Sequence, residues 1–210
     1  SMGPAQAEDV LRESLTVGAD EAYLVSGREF GGSDTLATSY ILSCAVKAVE
    51  EKRGEKFDVI YCGKQAIDGD TGQVGPEMAE HLGYTQITYA TELVACEGDK
   101  VQVRKETADG YDVLEAALPV VISVTKTPFE LRYPTVKKRL AANRAQIPTI
   151  TPQDMEGQID LSRAGLKGSP TKVKKSFTPQ HNKTCVVVEE DSPSASAVKL
   201  VALLSDDKKI

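Results

Sequence analysis

The stretch of this chain best suited to chemistry reads Gly63-Lys64-Gln65-Ala66-Ile67-Asp68-Gly69-Asp70-Thr71-Gly72-Gln73-Val74-Gly75-Pro76-Glu77. Its glycines let backbone N–H groups approach an anion closely. Thr71 offers a hydroxyl donor and Lys64 a positive charge, and both suit a phosphate oxygen. Asp68 and Asp70 would repel phosphate; they suit sugar hydroxyls or the N–H groups of the loop itself. The implied chemistry is the holding of a phosphate and a sugar. The glycine spacing G-x-x-G-x-x-G matches neither the dinucleotide fingerprint nor the P-loop. Spacing alone therefore leaves a second reading open, a surface turn whose glycines satisfy backbone geometry and whose aspartates cap the next helix.

The surrounding elements favour a ligand loop. Residues 57–62 are apolar and β-branched and read as a buried strand. The helix after the loop ends near Leu82, with Gly83 as its cap. In an open α/β sheet, a ligand binds between such a strand end and such a helix start, and the helix N-terminus adds a partial positive potential. Upstream, residues 5–17 read as a helix bracketed by Pro4 and Gly18. Residues 22–25 read as a strand. A second helix, capped by Ser33 or Asp34, carries Leu36, Tyr40, Ala45 and Val49 at helical spacing to about Arg53, and Gly54 ends it. This strand–helix–strand order predicts parallel strands covered on both faces. Gly31-Gly32-Ser33-Asp34 superficially resembles the pyrophosphate loop of ATP pyrophosphatases. It lacks one intervening residue and reads as a helix cap.

Three strand-like runs follow at 87–95, 101–106 and 111–116, with tight turns at 97–100 and 108–110. They predict an antiparallel meander on the parallel core. Residues 119–125 read as a last strand, 127–134 as an irregular loop and 136–144 as a short basic helix. Residues 147–191, rich in Pro, Thr, Gly and Lys, read as an extended arm that needs a partner surface. Residues 192–205 read as a terminal helix. The expected division is an α/β domain at 1–146 and an arm with its helix at 147–210. No strand precedes the first helix, so the chain is expected to begin inside a fold.

Composition narrows the function classes. The 210 residues are 40% hydrophobic and 27% charged, an ordinary globular balance. Aromatics are 5% with no Trp, and the net charge is −6, which argues against nucleic-acid and anionic-membrane binding. Cys44, Cys62, Cys96 and Cys185 form no C-x-x-C pair, and His81 and His181 are too few for a histidine-rich metal site. No run approaches the length of a membrane span, and Ser1-Met2-Gly3-Pro4 resembles no signal peptide. A soluble intracellular protein with free thiols is expected.

The whole string from Gly63 to Glu77 closely resembles the nucleotide-binding signature of electron-transfer flavoprotein beta subunits. The resemblance extends to Met2-Gly3-Pro4-Ala5-Gln6, Gly18-Ala19-Asp20-Glu21-Ala22, Asp34-Thr35-Leu36-Ala37-Thr38-Ser39-Tyr40 and Arg132-Tyr133-Pro134-Thr135, and covers residues 2 to about 151. It implies an adenine-nucleotide-binding, Rossmann-like α/β domain. The family's opening strand, turn, helix and second strand have no counterpart here, so the sheet is expected to lack its first strands. The edge they leave is expected to be paired with another chain, capped or disordered. Membership implies an alpha subunit partner that carries the electron-shuttling FAD, and dehydrogenases of the acyl-CoA type as redox partners. It also implies a cytoplasmic, bacterial setting and a carrier without catalytic or metal-ligating residues of its own. The beta subunit holds AMP in the simple branch and a second FAD in the bifurcating branch. Gln73-Val74-Gly75-Pro76-Glu77 resembles the bifurcating branch more, so FAD is expected, with AMP as the alternative. Met2 and residues Gly63 through Val74 are the implied cofactor contacts. Phe129-Glu130-Leu131-Arg132-Tyr133 falls in the implied recognition loop, with Phe129 and Leu131 as anchor candidates. Phe129 tucked into the core is the competing reading. A nucleotide-binding or nucleotide-cleaving module without redox role is the other functional class.

Overall fold

Pro4 and Gly18 bracket the first helix. In the computed structural model, which describes residues 1–178, 185–207 and 209, a 3-10 turn at Ala5–Ala7 runs into α1 (Glu8–Val17). His181 lies outside the described residues. After β1 (Leu24–Val25), Asp34 opens α2 (Thr35–Arg53): its carboxylate accepts the Ala37 N–H at 3.1 Å. Gly54 closes α2 in a left-handed conformation. β2 (Val59–Gly63) leads through the glycine-rich loop to α3 (Val74–Leu82). The meander is β3 (Thr85–Glu97), β4 (Lys100–Thr107) and β5 (Gly110–Ala117), followed by β6 (Val120–Val124). Next come α4 (Val136–Arg144), β7 (Thr149–Ile150), the single turn α5 (Gly165–Gly168) and α6 (Pro193–Asp206).

The architecture is α/β with a mixed five-stranded sheet in the order β2-β6-β3-β4-β5. β6 pairs parallel with both β2 and β3, while β3, β4 and β5 pair antiparallel. Alternation sends Val120 and Ile122 to one face, where they join Ile87, Ala90, Val101 and Val103 in a core. Cys62 and Ser123 lie on the opposite face, beneath α3. A Cβ on Gly75 would meet Cys62 Sγ at 2.5 Å, so only glycine lets α3 start this close to the sheet.

β2 is not the buried strand expected. It has one neighbour, β6, and its other edge is unpaired among the described residues, which leaves Tyr61 56% exposed. β1 stands apart in a two-stranded parallel pair with β7, and Met2 bridges to Val25. Around that pair lies a second core of Val25, Phe30, Ile41, Ala45, Ile150 and Met155. Arg12 of α1 donates to the Ala142 and Ala145 carbonyls at 2.7 and 2.9 Å, placing a cation at the C-terminus of α4.

The chain divides into two compact units, Ser1–Lys172 and Val173–Ile210. The expected division after residue 146 falls inside the first. There Ile150, Met155 and Ala164 are buried one at a time, with no periodicity to announce them. The second unit holds α6, started by Ser192, whose hydroxyl accepts the Ala195 N–H at 3.2 Å. None of the residues of α6 is buried.

Candidate functional site

The loop begins where β2 and β6 end side by side. Gly63 pairs with Val124, and the Lys64 N–H donates to the Val124 carbonyl at 3.0 Å. The chain then turns back on itself: the Asp70 N–H donates to the Ala66 carbonyl at 3.0 Å, and the Gln65 amide donates to the Asp70 carboxylate. Asp70 sits at φ 56° and Gly72 at φ 63°. A Cβ on Gly72 would lie 3.3 Å from the Lys64 carbonyl oxygen, a tight contact that adds to the positive φ in favouring glycine there. Residues 63–71 are all exposed, and Ile67 is fully so.

The helix start that follows has the properties of an anion site. Gln73 is the N-cap of α3 but its side chain makes no cap hydrogen bond, so the first N–H groups of α3 have no side-chain acceptor among the described residues. The Gln73 side chain instead accepts the Thr35 hydroxyl at 3.2 Å, which ties the N-terminus of α2 to that of α3. Sequence reasoning missed Thr35. Its signal is its place as the first residue of a helix after a Gly-Gly turn. Beneath these helix starts, Glu77 has one carboxylate oxygen buried with no partner among the described residues. Burial pushes the Glu77 carboxyl up and nearby Asp34 adds to this, while hydrogen bonds from Ser39 and Thr35 oppose the shift.

Met2 lies beside the turn that enters α2. With Gly3, Val25, Gly27 and residues 30–33 it lines a cavity of about 350 Å³. Ser33 closes that cavity and Thr35 reaches Gln73, so α2's N-terminus is shared by the cavity and the loop. Asp34 is committed to structure. Its carboxylate accepts the Ala37 N–H at 3.1 Å and, from Thr171, the N–H at 2.9 Å and the hydroxyl at 2.8 Å. Ser33 does not cap the helix; its hydroxyl accepts the Gly165 N–H at 3.1 Å and donates to the Phe30 carbonyl at 2.7 Å.

The candidate partner loop leaves the same sheet edge, from the end of β6. Phe129, Leu131 and Tyr133 are 66%, 87% and 91% exposed, so Phe129 is not tucked into the core. Glu130 and Arg132 are exposed beside them. Thr135 closes the loop by capping α4, its hydroxyl accepting the Lys138 N–H at 3.2 Å.

Comparison with known proteins gives a consistent result. Residues 1–155 match the model of the electron transfer flavoprotein domain. The chain is 49% identical to the electron transfer flavoprotein subunit beta of Megasphaera elsdenii, over 100% of this chain and 78% of that protein. It is 44% identical to the subunit of the same name from Clostridium acetobutylicum, over 94% of this chain and 73% of that one. It is 40% identical to the acryloyl-CoA reductase electron transfer subunit gamma of Anaerotignum propionicum, over 90% and 70%.

Proposed function

The chain belongs to the electron transfer flavoprotein family, and we propose that it is the nucleotide-holding subunit of a two-subunit electron carrier. The observation that carries this is the loop of residues 63–74, set at the C-terminal end of a parallel strand and feeding a helix whose first N–H groups have no side-chain acceptor among the described residues. The residues fit a nucleotide phosphate: Gly72 leaves room for close backbone approach, and Thr71 is exposed and free to donate. Gln73 and Val74 present N–H groups to the anion, and Asp68 orients the loop or a sugar hydroxyl. Asp70 holds the turn through Gln65. Met2, at the cavity beside the α2 start, serves the adenine end. The bound nucleotide is FAD, with AMP as the alternative. Flavin, when bound, supplies the redox chemistry; the protein binds, orients and tunes it.

The partner is an alpha-type flavin subunit, and electrons pass to or from dehydrogenases of the acyl-CoA class, with bifurcation as the mode in the FAD-holding form. The subunit itself performs no catalysis. Residues 129–133 meet the dehydrogenase, and the chain beyond residue 146 packs in part on the alpha subunit, in a bacterial cytoplasm. No described helix is long and apolar enough to cross a membrane. The sheet is a Rossmann-like one that lacks its first strands, and the open edge of β2 is where they would pair. The test is to purify the complex and record its flavin absorbance, then release and count its nucleotides. A colourless complex that holds no nucleotide would sink the proposal. One AMP in place of a second FAD selects the alternative.

A further inference from the structure

β3 loses register with β6 between Ile87 and Ala90. Both of those residues point into the core, and Tyr89 between them adopts φ 60°. A left-handed backbone is uncommon and strained for a bulky aromatic residue. Glycine would occupy it freely, yet the sequence places a ring there. The strained turn is held by the Tyr89 N–H, which donates to Ser123 Oγ at 3.2 Å. The ring is 41% exposed, and its centroid lies 5.3 Å from Lys64 Nζ. Lys64 is the first residue beyond β2, so ring and ammonium meet where β2 and β6 end, at the mouth of the loop. Among the described residues Lys64 forms no ion pair.

Taking the loop as the phosphate site, we propose that Tyr89 is a positioning residue that holds the Lys64 ammonium against the anion. A lysine stem free in solvent samples many rotamers, and fixing it on binding costs affinity. The negative face of an aromatic ring attracts the ammonium and removes part of that cost beforehand. A pre-placed cation also offsets Asp68 and Asp70, whose carboxylates repel the phosphate. The strained backbone at Tyr89 is what aims the ring away from the core and at Lys64.

The experiment titrates FAD and AMP into the native two-subunit complex freed of nucleotide. Lys64→Gln is expected to weaken binding about ten-fold. Tyr89→Gly, which fits the left-handed backbone, is expected to weaken it about three- to five-fold, and Tyr89→Phe to restore wild-type affinity. The double variant Tyr89→Gly/Lys64→Gln should bind like Lys64→Gln alone, because the ring acts only through the ammonium. Should the glycine variant fail to fold, Tyr89→Asn also tolerates the left-handed backbone. An equal loss from Tyr89→Gly in both backgrounds overturns the proposal. So does wild-type affinity in Lys64→Gln while Thr71→Ala binds weakly, a result that leaves the loop reading standing. Wild-type affinity in both Thr71→Ala and Gly72→Val removes the loop reading and this proposal with it.

Discussion

Gly75 and Thr71 show two different ways in which one residue can serve the loop. Gly75 is steric: a methyl group there would sit 2.5 Å from Cys62 Sγ, within the van der Waals radii, and would push α3 off the sheet. Gly75→Ala should cost about 1–3 kcal/mol of stability, as overpacking does. Trimming the opposing sulfur with Cys62→Ala in the same chain should recover most of it. Denaturant unfolding of both variants checks this, and a double variant no more stable than the single one would show the clash is not the cause. Thr71 is chemical. It is exposed and spends nothing on the fold, so Thr71→Ala should leave stability unchanged. Losing a hydroxyl bond to a charged phosphate costs roughly 1.5–3 kcal/mol, or about ten-fold or more in nucleotide affinity. Calorimetric titration decides it, and unchanged affinity would remove Thr71 from the site. The loop was legible because its glycines, aspartates and threonine sit in one string after a strand. Thr35 was not, because its partner Gln73 lies 38 residues away and only the packing of α2 on α3 brings them together.

Elements start and stop in this chain by capping chemistry, and Asp34 shows how much one cap can carry. Burial alone would raise its carboxyl. The N–H and hydroxyl of Thr171 and the N–H groups of Ala37 and Leu36 outweigh that and hold it below the ordinary aspartate value of 3.8. A depressed folded-state value stabilises the ionised form, so the contribution is complete above about pH 4 and is lost as pH falls through the lower folded-state value. Asp34→Ala should cost about 1 kcal/mol or more and weaken the loss of stability as pH falls below about 4. An acid titration of unfolding that keeps the wild-type slope in Asp34→Ala would reject this. The proposed partner loop behaves differently, since it is exposed and capped only at its far end. Phe129→Ala and Leu131→Ala should leave the melting temperature unchanged and slow electron transfer to the dehydrogenase; unchanged transfer in both would place the contact elsewhere. Helices α1 to α3 were legible because Pro4, Gly18, Asp34, Gly54 and Gly83 punctuate them, and the meander because of its turn residues. The parallel pairing of β1 with β7 was not. Each strand is only two residues long, and the register Leu24↔Thr149 spans most of the first unit. The edge position of β2 escaped for a related reason: an apolar β-branched run reads the same whether it has one neighbour or two.

For the molecule as a whole, the same ambiguity decides where the folded unit ends. The composition of residues 147–172 suggested an arm, yet Met155 is wholly buried and Ile150 nearly so, in the core that α2 and β1 share. Leu166 packs over Gly32, and the Leu166 N–H donates to the Gly31 carbonyl at 3.2 Å. Ser169 accepts the Asp34 N–H at 2.8 Å, so this segment also holds the turn that enters α2. Isolated apolar residues spaced by polar ones carry no period, which is why their burial could not be read from the sequence. Their energetic weight is nonetheless large, because Met155→Ala in a packed core costs about 2–5 kcal/mol. A chain ending at Lys172 should therefore melt cooperatively at the temperature of the 210-residue chain, since the second unit buries none of α6. A chain ending at residue 146 loses β7, Met155 and the straps on Gly31 and Asp34 together, a deficit comparable to the whole stability of a typical domain. It should show no cooperative transition and lose protection from proteolysis at α2 first. Thermal melts of the two truncations decide between the boundaries. Equal melting temperatures would return residues 147–172 to the arm.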